Sequence, residues 1–384
     1  MQGLDEFLAQ KPLYYSEINY ERFPKIFATI KQHFNLSTII HIIGTNAKGT
    51  TGRALAHILH VSGQTVGHYS SPHIVSFNER IWLNGADVSD IILEQFHAQL
   101  WQILTIEQRE ALSYFEYTTL LAMLIFSSHC KFVVLEAGLG GEHDATSVFA
   151  KELSIITPIG YDHQDFLGTS IEMIATTKIN SIKNDAIIAK QYEPQVYEIA
   201  RKRVETLHTD LYFAASFLQQ DFYNSLFLHV NQHNYPAFLY DNFCSAFCAF
   251  SLLGFTPDVS KLEGLQLFGR CQKIAQNVTI DVGHNIMAAK VLAAHFSGKK
   301  VVLIYNTYKD KDFVGILEIL QSIILRVEIL HVSHPRMLPS ATLEHHLKNL
   351  DIDYGFFTAI NTQEDYLVFG SFSVVATFLK EYGA

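Results

Sequence analysis

Two kinds of apolar patterning alternate along the chain. Short runs rich in Ile and Val read as strands buried on both faces, and apolar residues three and four apart read as amphipathic helices. In order, the spacing predicts a helix over 20–34, a strand over 38–43, a helix from Thr50 onward and a strand over 64–69. Pro72 then forbids continuation of the ladder, because it has no N–H to donate. After 74–83 comes an Asn84-Gly85 turn, followed by predicted helices over 88–104 and 116–127. Strands follow over 131–136 and 153–159, then a helix over 171–182 and a short strand over 187–189. From 190 to 268 the pattern loses regularity and turns aromatic, and only a helix near 243–253 stands out. Beyond Gly269-Arg270 the alternation resumes. It gives strands over 278–281, 301–305, 327–332 and 366–369, with helices over 286–296, 313–325, 341–350 and at the end. This second alternation is Rossmann-like without the dinucleotide glycines. It sets the expected domain boundary at 270, with one domain over 1–269 and another over 270–384.

The stretch that organises the first alternation is Ser37-Thr-Ile-Ile-His-Ile-Ile-Gly-Thr-Asn-Ala-Lys-Gly-Thr-Thr51. A buried strand runs into a turn with Gly44, Thr45, Asn46, Ala47, Lys48 and Gly49, and Thr50 opens a helix. Strand, glycine loop, lysine, hydroxyl and helix make the layout of a phosphate-binding loop. Helix N-terminal amides and the helix dipole favour an anion there. Lys48 would reach the β/γ-phosphates and the Thr50 hydroxyl would face Mg²⁺. The match to G-x-x-x-x-G-K-[ST] is imperfect. Ala47 stands where a glycine precedes the lysine, Gly49 delays the hydroxyl to Thr50, and Ile42 stands at the first glycine. The bland alternative is an ordinary strand-to-helix turn with an exposed lysine.

Length and charge narrow the picture. A chain of 384 residues is long for one core, so two domains are expected. A net charge of −10 argues against broad nucleic-acid binding and not against ATP, which is held locally. The four cysteines, Cys130, Cys244, Cys248 and Cys271, form no C-x-x-C pair and suit a reducing cytoplasm. The first ten residues show no secretory pattern, and the longest apolar run, 120–126, is too short to span a bilayer. The reading therefore expects no membrane partner, and it takes the protein as a monomer.

Candidate ligands fall at the C-terminal ends of successive strands, the edge where open α/β sheets bind ligands. They are Thr50 after the first, Ser71 after the second, Glu136 at the third and His163 after the fourth. Each could hold Mg²⁺ by position, though histidine is an unusual ligand for so hard an ion. Each also has a structural reading: Glu136 as a paired carboxylate, His163 as a loop residue, Ser71 as a turn former.

A resemblance now becomes specific. Gly44-Thr-Asn-Ala-Lys-Gly-Thr50, Tyr69-Ser-Ser-Pro-His-Ile-Val-Ser-Phe-Asn-Glu-Arg-Ile81, Leu135-Glu-Ala-Gly-Leu-Gly-Gly141 with Asp144-Ala-Thr146, Ile159-Gly-Tyr-Asp-His163, Phe166-Leu-Gly168, Lys178 and Asp281-Val-Gly-His-Asn285 occur in that order. Together they resemble the folylpolyglutamate synthase/dihydrofolate synthase family, a branch of the Mur ligases. The resemblance runs from about residue 20 to the C-terminus. It implies an α/β fold with an N-terminal P-loop ATPase domain on a mostly parallel sheet and a C-terminal Rossmann-like domain. It implies ATP-dependent joining of L-glutamate to dihydropteroate or a folate. It further implies that Gly44 to Thr50, with Lys48, hold ATP, and that Arg270 and Asp281 reach the nucleotide from the second domain. Ser71, Glu136 and His163 match the family's Mg²⁺ ligands, with Thr50 near the metal. Lys178 matches a lysine that is carbamylated in the family, and His284 lies in the second-domain motif. Ser71, Pro72, His73, Arg80 and Asp144 lie where the pterin substrate is expected.

Departures accompany the match. Ala47 replaces glycine, which is expected to shift the loop; Glu142 stands where many members carry arginine; and Gly283 replaces an alanine. The G-x-H-Q-x-x-N segment has no counterpart, its nearest candidate being Leu239-Tyr-Asp-Asn-Phe-Cys-Ser245, so the adenine contacts stay unassigned. Two other readings stand beside this one: another amino-acid ligase of the superfamily, and a nucleotide-binding switch without ligase activity. The second domain and Lys178 speak against the switch, which needs neither.

Overall fold

The computed structural model describes residues 2–12, 19–35 and 38–382. Met1 of the N-terminal segment and Ser37, which opens the loop stretch, lie outside the described residues. The chain forms two compact units. The first holds residues up to Pro72 together with Phe77–His233 and Leu239–Leu265; the second holds His73–Ser76, Asn234–Phe238 and the residues from Gln266 on.

The first unit is built on an eight-stranded sheet. Its strands are β1 (Thr38–Ile43), β2 (Val66–Tyr69), β3 (Ile81–Leu83), β4 (Ala86–Asp87), β5 (Phe132–Glu136), β6 (Leu153–Ile156), β7 (Ala186–Ile188) and β8 (Leu211–Phe213). The order is β4-β3-β2-β5-β1-β6-β7-β8. From β2 to β8 across the sheet the pairing is parallel, and β3 and β4 add an antiparallel flank. Asn84 (φ 48°) and Gly85 (φ 105°) join β3 to β4 with two left-handed residues, as a tight hairpin with the right-handed sheet twist demands. Central β1 is covered on both faces, which is why Ile40, Ile42 and Ile43 are fully buried. Helix Lys48–Val61 returns from β1 and buries Ala54, Leu55, Ala56, Ile58 and Leu59. Helix Tyr114–His129 is apolar all round and starts at a capping box of Ser113 and Glu116.

The irregular reading of 190–268 is corrected. Helices Pro194–Leu207, Gln220–Gln232 and Phe238–Leu252 and strand β8 lie there. Pro194–Leu207 buries only Val196, Ala200 and Val204, a stripe too thin to show among its charged residues. Gln220–Gln232 leaves Phe227 and Leu228 exposed, which blurs its apolar face.

The second unit carries a six-stranded sheet in the order β13-β12-β11-β14-β10-β9. Its strands are β9 (Gln272–Ala275), β10 (Val278–Ile280), β11 (Val301–Tyr305), β12 (Ile324–Ile329), β13 (Tyr354–Phe356) and β14 (Tyr366–Phe369). All pairs are parallel except β9 with β10. The helix expected over 313–325 ends at Leu320, and β12 begins at Ile324 rather than 327. Leu320, Ile323, Ile324 and Val327 are all buried, so the apolar run passes from helix to strand without a polar break. Edge strands β9 and β13 escaped the pattern because they are short and half-exposed. Among the described residues no helix is long and apolar enough to cross a membrane.

Candidate active site

Sheet register assembles the first unit's site. Ile42 pairs with Glu136 and Ile43 with Ile156, so β1, β5 and β6 end at one level beneath the loop. Tyr69 pairs with Leu135, which brings Ser71 out at the same edge. The loop is fastened to the segment after β6. Thr45 and Asn46 donate their backbone N–H groups to Pro158 O at 2.9 and 3.1 Å. The Thr45 hydroxyl donates to Gly160 O and accepts from Gly160 N, both at 3.1 Å. Ala47 has φ 67°, ψ 1°, the left-handed conformation that a glycine adopts at little expense. The helix starts at Lys48, two residues before the expected Thr50, so Gly49 and Thr50 lie in its first turn with their amides outside the intrahelical ladder.

Two lysines meet at this loop. The Lys48 ammonium donates to Gly44 O and Thr45 O, both at 3.2 Å, and lies 4.0 Å from Glu136 Oε1. The Lys178 ammonium, buried under the loop, donates to the same Gly44 O at 3.1 Å. Burial, reinforced by Lys48, pushes the Lys178 pKa down to about 7, against the pull of Asp162 and Asp144. Lys178 is seated by backbone contact: a Cβ on Gly141 would lie 2.6 Å from Lys178 O and 2.7 Å from its Cα.

The other expected residues fall around this centre in different ways. Glu136 and Thr50 are buried at the loop. His163 is exposed, has φ 51°, caps the short helix Gln164–Leu167 and donates its backbone N–H to Asp162 Oδ1 at 2.9 Å. Ser71 is half-buried, Pro72 is exposed, and the peptide between them is cis. Arg80 is buried with its guanidinium 5.3 Å from the Tyr114 ring centre and 5.9 Å from that of Phe77. Asp144 is committed inward. Its carboxylate accepts from Leu139 N (2.8 Å), Thr146 N (3.0 Å) and Thr146 Oγ1 (2.6 Å). Burial raises its pKa and these bonds oppose the rise. Because the Thr146 proton goes to Asp144, His41 Nε2–H is the donor to Thr146 Oγ1, at 2.8 Å.

The second unit carries His73, Arg270, Asp281 and His284. Asp281 follows β10 directly, and its buried carboxylate accepts from Cys271 N at 2.8 Å and Gly283 N at 2.7 Å. Burial pushes its pKa up; the Arg270 guanidinium opposes this. Arg270 lies 5.2 Å from the Phe372 ring centre, and the His284 ring 6.3 Å from the same ring. A Cβ on Gly283 would meet Ala288 Cβ at 2.6 Å, so the motif's alanine would not fit this packing unshifted.

No protein-family model matches the chain. Individual relatives do. The dihydrofolate synthase/folylpolyglutamate synthase of Buchnera aphidicola subsp. Schizaphis graminum is 30% identical over 379 residues, spanning 90% of this chain and 88% of the relative. The chain belongs to the dihydrofolate synthase/folylpolyglutamate synthase family. The crystal structure of Helicobacter pylori folylpolyglutamate synthetase is 37% identical with a TM-score of 0.78, covering 98% of this chain and 97% of that one. A Yersinia pestis bifunctional folylpolyglutamate synthase/dihydrofolate synthase, complexed with AMPPNP and a Mn ion, is 25% identical with a TM-score of 0.82, covering 99% and 98%.

The donor set of this family member fits a hard divalent ion. Among the described residues no three His, Cys, Asp or Glu side chains form a metal cluster. A site with one buried carboxylate and nearby hydroxyls suits Mg²⁺, which keeps waters and takes ligands from substrate phosphates. Sequence reasoning passed over Asp162, which bears on Lys178, and Pro158 and Gly160, which fasten the loop. Asp162 carried a signal by standing in the quoted motif beside His163; the backbone contacts of Pro158 and Gly160 carried none.

Proposed function

We propose that this protein is an ATP-dependent ligase joining L-glutamate to dihydropteroate, to a tetrahydrofolate, or to both, through an acyl phosphate, with release of ADP and phosphate. The observation that carries the reading is the convergence of Lys48 and Lys178 on Gly44 O beside Glu136. The Lys48 ammonium and the open amides of the helix first turn place positive charge at a helix N-terminus, which a triphosphate answers. The nucleotide and metal named for the Yersinia pestis relative agree with it.

A carboxylate does not react with an amine at neutral pH. Transfer of the γ-phosphoryl group onto the free carboxylate of dihydropteroate or of a folate makes a good electrophile, and such transfer is catalysed mainly by positioning and charge neutralisation. Lys48 supplies a point charge to the transferring group, while the amides of 44–50 hold the phosphates. Glu136, Ser71, His163 and Thr50 would hold Mg²⁺, which when bound neutralises phosphate charge. The α-amine of glutamate then attacks the acyl carbon and phosphate leaves. Arg270, Asp281 and His284 serve the nucleotide and the glutamate step from the second unit, and Ser71, Pro72, His73, Arg80 and Asp144 serve the pteroyl end. Lys178, titrating near 7, is substantially neutral at physiological pH. A neutral amine adds CO₂ and loses a proton to give –NH–COO⁻, so Lys178 is carbamylated in the working enzyme. The four thiols form no disulfide, in keeping with a cytoplasmic location.

ADP release measured separately with dihydropteroate and with tetrahydrofolate, each with and without L-glutamate, tests the reading. Glutamate-dependent release with either acceptor is expected. Release without glutamate dependence returns the protein to the nucleotide-switch class, and release only with other amino acids and acceptors makes it another ligase of the superfamily. Mass spectrometry under bicarbonate tests the carbamate, and acetate is expected to restore part of the activity of Lys178→Ala.

A further inference from the structure

Lys151 stands just before β6 and is 4% exposed. Among the described residues its ammonium has no carboxylate partner. It donates to Ser181 O at 3.2 Å and Ser147 O at 3.4 Å. Ser181 lies just past helix Ile171–Ile179, whose C-terminal carbonyls attract a cation. Burial, with Lys183 adding to it, pushes the Lys151 pKa down to about 8, which still leaves it mainly charged at neutral pH.

The two carbonyls belong to the two segments that pack around Lys178. On one side the Ser147 hydroxyl donates to Gly141 O, and Gly141 lies against the Lys178 backbone. On the other the Ser181 hydroxyl donates to Lys178 O at 2.7 Å. Glu142 N donates to Thr177 O at 2.9 Å and the Asn180 amide to Glu142 Oε2 at 2.8 Å, so the segments are also joined directly. Lys151 is the charge where they close. We propose that Lys151 is a positioning residue: its buried ammonium clamps Ser147 and Ser181 together and so fixes the seat from which Lys178 reaches Gly44 O under the phosphate loop. The proposal rests on the reading that Lys178 serves the ligase reaction. A lysine tip held 3.1 Å from one carbonyl has little tolerance for backbone movement, and a misplacement near 1 Å can lower a rate by about 10²-fold.

The test compares wild type, Lys151→Met and Lys151→Arg as full-length protein. Amine acylation of Lys178 is followed against pH by mass spectrometry in CO₂-free buffer, while kcat, the KM for ATP and the melting temperature are measured under bicarbonate. In Lys151→Met the acylation midpoint is expected to move up from about 7. The limiting acylation rate, reached well above the midpoint, should become faster by about tenfold or more as the lysine leaves its seat, and kcat should fall by about tenfold with the KM for ATP nearly unchanged. Lys151→Arg, which keeps a cation and several donors, should recover most of both. Should Lys151→Met fail to fold, Ser147→Ala takes its place: it keeps both carbonyls on Lys151 but cuts the bond to Gly141, and a smaller shift in the same direction is expected. A lower melting temperature with wild-type acylation of Lys178 overturns the proposal, and so does moved acylation with wild-type kcat. Acylation needs neither ATP nor glutamate, so an inactive wild type would sink the ligase reading while acylation still decided where Lys178 is seated.

Discussion

The two parallel sheets present their C-terminal edges with opposite electrostatics. In the first unit the edge groups are lysine amines held by carbonyls: Lys48 and Lys178 share Gly44 O, and Glu136 Oε1 stands 4.0 Å from Lys48. In the second unit the central group is an anion held by amides, with Asp281 accepting from Cys271 and Gly283. A parallel sheet offers the same edge in both cases. What differs is the turn: the four residues 44–47 from β1 to the helix at Lys48 fold loop carbonyls onto lysine amines, whereas Asp281 after β10 draws the amides of Cys271 and Gly283 onto its carboxylate. The first leaves the Lys48 ammonium at the start of a helix. The second largely satisfies its own charge and shapes the turn that carries His284.

The comparison breaks most readily at Lys48. Lys48→Ala should lower glutamate-dependent ADP release by about 10³-fold while the melting temperature moves little, because a loop cation facing a ligand contributes to the transition state rather than to packing. Wild-type-like release would remove the phosphate-loop assignment. Next comes the buried charge of Lys178. Folded, it titrates near 7; unfolded, near its ordinary value of 10.5. Between these the unfolded chain binds the extra proton, so stability should rise with pH across that window, by up to a few kcal/mol. Denaturant unfolding in CO₂-free buffer should show this slope in wild type and a shallower one in Lys178→Met; equal slopes would mean the ammonium is not desolvated.

Glu136→Gln keeps the shape and removes the charge. It should raise the Mg²⁺ needed for half-maximal rate by about tenfold or more, and lower the rate itself. An unchanged Mg²⁺ titration would make Glu136 a structural carboxylate. On the second unit His284→Ala should raise the glutamate KM or lower kcat by about tenfold while ATP binding, followed by calorimetry, stays near wild type. Equal loss of ATP binding would show that the labour is not divided this way. The smallest effect belongs to Ala47. Left-handed alanine costs about 1–2 kcal/mol, and glycine loses about 0.4–1 kcal/mol through the entropy of its unfolded chain. Ala47→Gly should therefore stabilise by roughly half a kcal/mol, read as a small rise in melting temperature, and a fall would mean that the methyl packs.

Legibility followed burial. Strands β1, β11 and β14 were readable to the residue because a strand covered on both faces needs an unbroken apolar run, and its ends are marked where that need stops. The helices of 190–268 were not, since a helix packed along a thin stripe needs only Val196, Ala200 and Val204 to be apolar. The boundary between Leu320 and Ile324 was hidden for the opposite reason, with every candidate position buried.

The site divides in the same way. Sequence alone determined the loop, its lysine, its glycines and the strand-end residues Glu136 and Ser71, because local backbone geometry and strand periodicity dictate those residue types where they occur. Only the tertiary structure decided that Lys178, 134 positions from Gly44, shares a carbonyl with Lys48. It alone showed that Asp144 turns its carboxylate inward to Leu139 and Thr146, and that Lys151 is buried on two carbonyls. The physical reason is that a charged side chain looks the same in sequence whether water or backbone solvates it. The choice is made by which distant carbonyl or amide the fold brings within 3 Å or so, and no local pattern encodes that.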